Sequence, residues 1–355
     1  MNDSRTFSDD SLGGPSRPPR GEDLLPPIEQ PSAKFIVQLF VVPALIVAVI
    51  VGVWLSFSWL VRSATIDPDK LVEGIEHGPS VARWQRAIEL AEMLSNNRYA
   101  GLKRDPKTAG HIAQILDREI DESKDGNDGQ EQATLRYYLV TALGRFEVND
   151  GTDVLLKAAE TKRTPNDDLV RQCALEAIAT RQFNMQKLDP PESLSNPDLE
   201  PTLIRLTKDE DPAIRSRATY ALGQFGTPEA IKRLEVLVDD PDKDTRFDAA
   251  IALAHRGNAK GVETLAEMLD VPELAKMEDS AGEKDPSFKR DVIVAAALDA
   301  THALARQNPQ ADLSLVTEAI ERLIATDSQK LSDAHISPRA KSDAELVLPD
   351  LKSKQ

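Results

Sequence analysis

Two patterns of apolar residues divide this chain. The first is continuous. No charged residue occurs between Lys34 and Arg62, and the centre of that interval reads Val41-Val42-Pro43-Ala44-Leu45-Ile46-Val47-Ala48-Val49-Ile50-Val51. The uncharged run over 35–61 is about 27 residues long, where a helix crossing the hydrocarbon of a bilayer needs about 20. Backbone N–H and C=O groups cannot stay unpaired in hydrocarbon, so the run predicts a single transmembrane helix. Pro43 lies in its early turns, where a kink is tolerated. Trp54 and Trp59 lie towards its far end, where indole rings favour the headgroup zone. A cleaved signal peptide has a shorter apolar stretch, about 7–15 residues, so the run reads as a retained anchor.

The second pattern is periodic. From Asp211-Pro212-Ala213-Ile214-Arg215 the chain continues with Ala218, Ala221, Leu222, Gly226, Leu234 and Leu237. Thirty-one residues on, as from 215 to 246, stand Arg246, Ala249, Ala252, Leu253, Gly257, Leu265 and Met268. A period in this range is the signature of a solenoid of stacked repeats. Each unit reads as two helices. Asp is a good N-cap and Pro suits the first helical turn, so Asp211-Pro212 opens the first helix. Gly226 and Gly257 are expected to end it, and Thr227-Pro228 to open the second, which buries Ala230, Leu234, Leu237 and Val238.

The template extends outwards. Arg136, Ala142, Leu143, Gly144, Phe146, Leu155 and Ala158 repeat it, and Arg171, Ala174, Ala177 and Ile178 repeat its first helix. Further pairs are expected at 81–94 with 107–120 and at 288–306 with 313–325, with an insertion near 271–286. The predicted fold is all-α: an α-solenoid of about six HEAT-like helix pairs over 80–326, preceded by one transmembrane helix. A linker is expected at 62–79 and a polar C-terminal tail at 327–355. Residues 1–34 are rich in Pro, Ser, Gly and Asp and are expected to be a disordered tail.

The Asp-Pro-x-x-Arg-x-x-Ala-x-x-Ala-Leu-Gly run at 211–223 resembles the short HEAT repeats of the phycobilin-lyase type. The resemblance covers 80–326 and is densest over 207–270. It implies an α-solenoid and a protein-binding role, and it transfers no catalytic activity. HEAT-like enzymes that hydroxylate a lysine-derived residue hold two irons with paired His-Glu dipeptides, and this chain contains no His-Glu dipeptide.

Composition agrees with close helix packing: 41% of the residues are hydrophobic but only 5% aromatic, so the apolar content is mostly Ala, Leu, Ile and Val. The net charge is −16, of which −2 belongs to residues 1–34. That sign repels phosphate backbones, so no nucleic-acid partner is expected. Arg17, Arg20 and Lys34 precede the anchor, against Arg62 and Lys70 after it. This small excess orients the N-terminus to the cytoplasm and the repeats outside it.

Chemistry is sparse. The five histidines are His77, His111, His255, His302 and His335, without a second His at helical ligand spacing. There is no nucleophile elbow, phosphate loop or dinucleotide turn. The lone Cys173 lies on a first helix and reads as a packing residue. Asp121, Ser123 and Asp125 followed by Gly126 resemble the start of a calcium loop, but Gln132 replaces the closing bidentate Glu, so a solvated connector is preferred. No cofactor or metal is expected.

These readings predict a membrane-tethered scaffold presenting a concave surface of second helices to another protein or peptide. The alternative is a lyase-like or chaperone-like protein holding a cofactor or polypeptide in that groove. Helix geometry places Asp153, Lys157, Arg205, Lys232, Val236, Glu263 and Glu267 opposite the buried stripe, as the expected partner-binding row.

Overall fold

The computed structural model describes residues 32–63, 67–123, 129–277 and 287–352, and among these no strand occurs. The chain forms two units, 1–66 and 67–355. In the first, helix α1 (Ala33–Ser63) carries Pro43 inside it. Its segment Val37–Ser56 has a mean hydropathy of 2.7 and no buried residue, and is long and apolar enough to cross a membrane. Of the expected tail, residues 1–31 lie outside the described residues, as do 64–66 of the expected linker.

Every regular element described in the second unit is a helix. The unit begins with α2 (Pro68–His77), α3 (Ser80–Ser95), α4 (Ala100–Lys103) and α5 (Pro106–Glu122). There follow α6 (Gln130–Leu143), α7 (Thr152–Glu160), α8 (Asp167–Gln186), α9 (Leu199–Leu206), α10 (Pro212–Gly223) and α11 (Pro228–Leu237). Then come α12 (Lys243–Ala254), α13 (Val262–Glu267), α14 (Val271–Ala275), α15 (Ser287–Gln307), α16 (Ser314–Ala325), α17 (Ser328–Asp333) and α18 (Pro338–Lys352).

First helices stack on first helices: α3 on α6, α6 on α8, α8 on α10, α10 on α12, α12 on α15. Second helices form a parallel layer, with α5 against α7, α7 against α9 and α13 against α16. The core lies between these layers. Ala218, Ala221 and Leu222 are fully buried, as are their repeat mates Ala249 and Leu253. Small side chains permit close helix approach, and Gly223 takes this furthest. A Cβ there would stand 2.7 Å from the Ala252 Cβ. Gly144 holds the same repeat position, and its Cβ would stand 2.7 Å from that of Ala177. The first helices end slightly before the expected glycines, at Gly223 and Ala254, and only Gly257 turns with a left-handed φ of +72°.

Arginines lock successive units. Arg215 Nη1 donates to the carbonyls of Asp209 (3.0 Å) and Glu210 (3.1 Å), just before its own helix, while Nη2 reaches Asp240 at 3.2 Å. Arg246 repeats this on Asp240 O (2.9 Å) and Pro241 O (3.1 Å), with Nη2 on Glu267 at 2.7 Å. Arg83 joins Ile75 O to Glu119, Arg171 joins Ala159 O to Asp209, and Arg290 bonds the carbonyls of Leu274 and Met277.

The flanks differ from expectation. Within the stretch expected to be a linker, Asp67 caps α2 by accepting from Asp69 N at 3.1 Å, and Leu71, Val72 and Ile75 are buried. The stretch expected to be a polar tail folds as α17 and α18, burying Leu331, Ile336, Ala340, Ala344 and Leu351. Both stretches bury an apolar stripe that is short but correctly spaced, and packing against the neighbouring first and second helices orders them.

Candidate groove on the first-helix face

Four stacked first helices, α8, α10, α12 and α15, line a groove of about 920 Å³. Its walls carry Phe183, Tyr220 and Phe288, which are 46%, 45% and 66% exposed, and the buried Phe247 also lines it. The local sequence explains why these rings face outwards. Tyr220 is flanked by Thr219 and Ala221, both fully buried, so the helix turns it away from the core. Its repeat mate, Ile251, lines the same groove.

Most charges around the groove are already matched. Arg217 Nε meets Glu176 at 2.8 Å, Lys289 Nζ meets Asp244 at 3.7 Å, and His255 Nε2 meets Asp299 at 3.5 Å. Arg256 Nη2 donates to Gly223 O at 2.9 Å. Asp248 differs: its carboxylate accepts from Ser216 Oγ at 2.8 Å, and no cation lies within ion-pair distance of it among the described residues. Burial pushes its carboxyl up to about 7, against the lowering effects of Ser216 and Arg217, and Asp244 and Asp242 add to the rise.

The expected partner row behaves differently. Asp153, Lys157 and Arg205 do come together, in a polar groove of about 630 Å³. Lys157 Nζ is held there by Asp117 (2.6 Å) and Asp121 (2.7 Å), and Arg205 is paired with Glu160. Lys232, Val236 and Glu263 are exposed but do not line that groove, and Glu267 is half-buried on Arg246. Of the calcium-loop residues, Asp121 is taken by Lys157, and the buried Ser123 donates to Ile120 O at 2.7 Å. Asp125 lies outside the described residues. Cys173 is buried against Thr141 Oγ1 at 3.3 Å, and burial pushes its thiol up to about 11, so it is protonated at neutral pH. Among the described residues, no cluster of three or more His, Cys, Asp or Glu side chains could hold a metal ion.

Helix-face reasoning missed the aromatic groove because it followed the second helices. The available signal was an aromatic at an outward position of an alanine-rich first helix, in a chain where only 5% of residues are aromatic.

Residues 192–254 match the HEAT repeats family. None of the curated proteins matches the chain. Among solved structures it is similar to an engineered protein at 15% identity, with a TM-score of 0.35 and coverage of 82% of this chain and 98% of that one. It is also similar to YIBA of E. coli at 14% identity, with a TM-score of 0.34 and coverage of 80% and 93%. Human deoxyhypusine hydroxylase in complex with glycerol is 15% identical, with a TM-score of 0.30 and coverage of 81% and 96%. Likenesses at this level carry no functional argument. The HEAT match and the all-helical, stacked architecture together establish a HEAT-like repeat fold.

Proposed function

We propose that this protein is a membrane-tethered binding scaffold that holds a polypeptide segment in the first-helix groove. The observation that carries this reading is the set of exposed rings, Phe183, Tyr220 and Phe288, around one groove of about 920 Å³. Large aromatic side chains bury much area at small entropic cost and dominate the energetics of protein interfaces. Stacked helical repeats supply such extended surfaces without needing a catalytic centre. The tether is α1, whose apolar stretch Val37–Ser56 would span the bilayer. The charge bias around it favours a cytoplasmic N-terminus and an exported repeat unit.

The polar second-helix row supports contact less well, because Lys157, Arg205 and Glu267 already have partners of opposite charge. The likeness of 211–223 to phycobilin-lyase-type repeats supports a second reading, in which the aromatic groove holds a cofactor or a client chain. Purified protein that acquires a visible absorption band on incubation with linear tetrapyrroles would favour it.

The test is photocrosslinking in the native membrane. A benzophenone side chain at Phe288 should trap a discrete polypeptide, and the same group at Val236 should not. Adducts at Val236 alone, or at neither position, would overturn the groove assignment. Carbonate washing should leave the full chain in the membrane, and its release would overturn the tether.

A further inference from the structure

We infer that the groove contains a subsite for a basic side chain, lysine or arginine, of a bound polypeptide, with Asp248 as its counter-charge. This rests on the groove reading above and specifies the chemistry of what enters. The argument is one of charge accounting. From α10, Arg217 and Tyr220 face the groove, and Arg217 is spent on Glu176 of α8. From α15, Lys289 faces it and is spent on Asp244 of α12. His255, at the end of α12, meets Asp299, and Arg256 is fastened to the Gly223 carbonyl. Arg217, Lys289 and His255 thus each meet a carboxylate, Arg256 has a carbonyl with its Nε left unpaired, and the Asp248 carboxylate has only the Ser216 hydroxyl.

A half-buried carboxylate without a cation is costly, and an incoming ammonium or guanidinium removes that cost. Arginine adds a planar fork that matches a carboxylate, and a flat face that stacks on aromatic rings such as Tyr220. Burial raises the Asp248 carboxyl to about 7, so at pH 8 it is mainly the carboxylate that meets an incoming cation. A cation seated there favours the ionised form. Binding should therefore tighten as pH rises from 5.5 to 8, and Asp248→Asn, which leaves His255 in place, should flatten that rise. Position 248 also breaks the repeat: the equivalent residue one unit earlier is Arg217, so the subsite belongs to one place in the array.

The experiment uses the full chain in detergent micelles and three fluorescein-labelled heptapeptides. They share leucine and phenylalanine flanks and differ only in a central Arg, Gln or Glu. At pH 8 the Arg peptide should bind about tenfold or more tighter than the Gln peptide, with Glu weakest. Asp248→Asn should reduce that preference to about threefold or less. Glu229→Gln, which removes an exposed charge on α11, should leave the preference intact and so account for the general attraction of an acidic protein for a basic peptide. A preference that survives Asp248→Asn, or equal binding of Arg and Gln by the parent, overturns the subsite. If Tyr220→Ala still weakens all three peptides in that case, the groove itself stands. If no peptide binds, both readings fail together.

Discussion

The two faces of the repeat unit are built from different helices and spend their polar groups differently. On the second-helix side, Lys157 meets Asp117 and Asp121, Arg205 meets Glu160 and Lys162 meets Glu210. On the first-helix side, the partly exposed rings of Tyr220, Phe288 and Phe183, the last under Lys187 Nζ at 3.7 Å, line a groove with a carboxylate that has no cation at ion-pair distance among the described residues. Exposed ion pairs are worth little to stability, about 0–1 kcal/mol, so the matched face is a solvated surface held in register. The aromatic face leaves apolar area uncovered, and contiguous patches of that kind mark sites of interaction. A protein's contact surface, on this contrast, is found where its charges and rings are left unsatisfied, and a charged row by itself says little.

The comparison presumes one core between two faces, and the largest expected effect tests that presumption. Leu222→Ala and Leu253→Ala empty fully buried sites between the layers and should each cost about 2–5 kcal/mol. Urea midpoints of the full chain in detergent would show it, and ranking by midpoint is robust where an array does not unfold in two states. A midpoint unchanged in both variants would mean that the two layers do not share this core.

A smaller, pH-dependent effect sharpens the contrast at the aromatic face. Asp248 has a folded-state pKa raised to about 7, above its ordinary value of 3.8. The folded state therefore holds this proton more tightly than the unfolded chain. Stability from this group is fully present below about pH 4 and is lost as pH rises through 7. Asp248→Asn should leave the melting temperature unchanged near pH 4 and raise it progressively towards pH 8. A melting difference that shrinks over that range would contradict the placement of the carboxyl.

The smallest effect belongs to the matched face. Lys232→Ala removes an exposed side chain and should change stability by less than about 0.5 kcal/mol. A loss comparable with that of the leucine variants would mean that the faces are exchanged.

How much of this was legible in sequence depended on repetition. The pairs around Arg215 and Arg246 could be aligned without gaps because Ala218, Ala221 and Leu222 recur as Ala249, Ala252 and Leu253. The buried positions Ala230, Leu234, Leu237 and Val238 followed from the same register. The flanks were harder to read. Asp67-Pro68 carries the same helix-start signal as Asp211-Pro212, but Leu71, Val72 and Ile75 make too short a stripe to declare a repeat. After Asp327, the apolar residues Leu331, Ile336 and Leu351 are too widely spaced to show a period, and only their tertiary partners order them. The groove was illegible for another reason. Phe183, Tyr220 and Phe288 belong to three different helices, and no local pattern tells which outward side chains will meet across units.

The arginine ties give the array a direction. Arg215 takes its carbonyls from residues 209 and 210, which close the preceding unit, and its acid, Asp240, from the end of its own. Arg246 repeats that arrangement on 240, 241 and Glu267. A unit peeled from the C-terminal end leaves the guanidinium before it with every partner still in place. A unit peeled from the N-terminal end strips the carbonyls from the next arginine and leaves a cation with half its bonds. Fraying is thus biased to run inwards from the C-terminal end, as a ratchet yields in one sense, and amide hydrogen exchange would register it as protection that fades first there and last towards the N-terminal repeats.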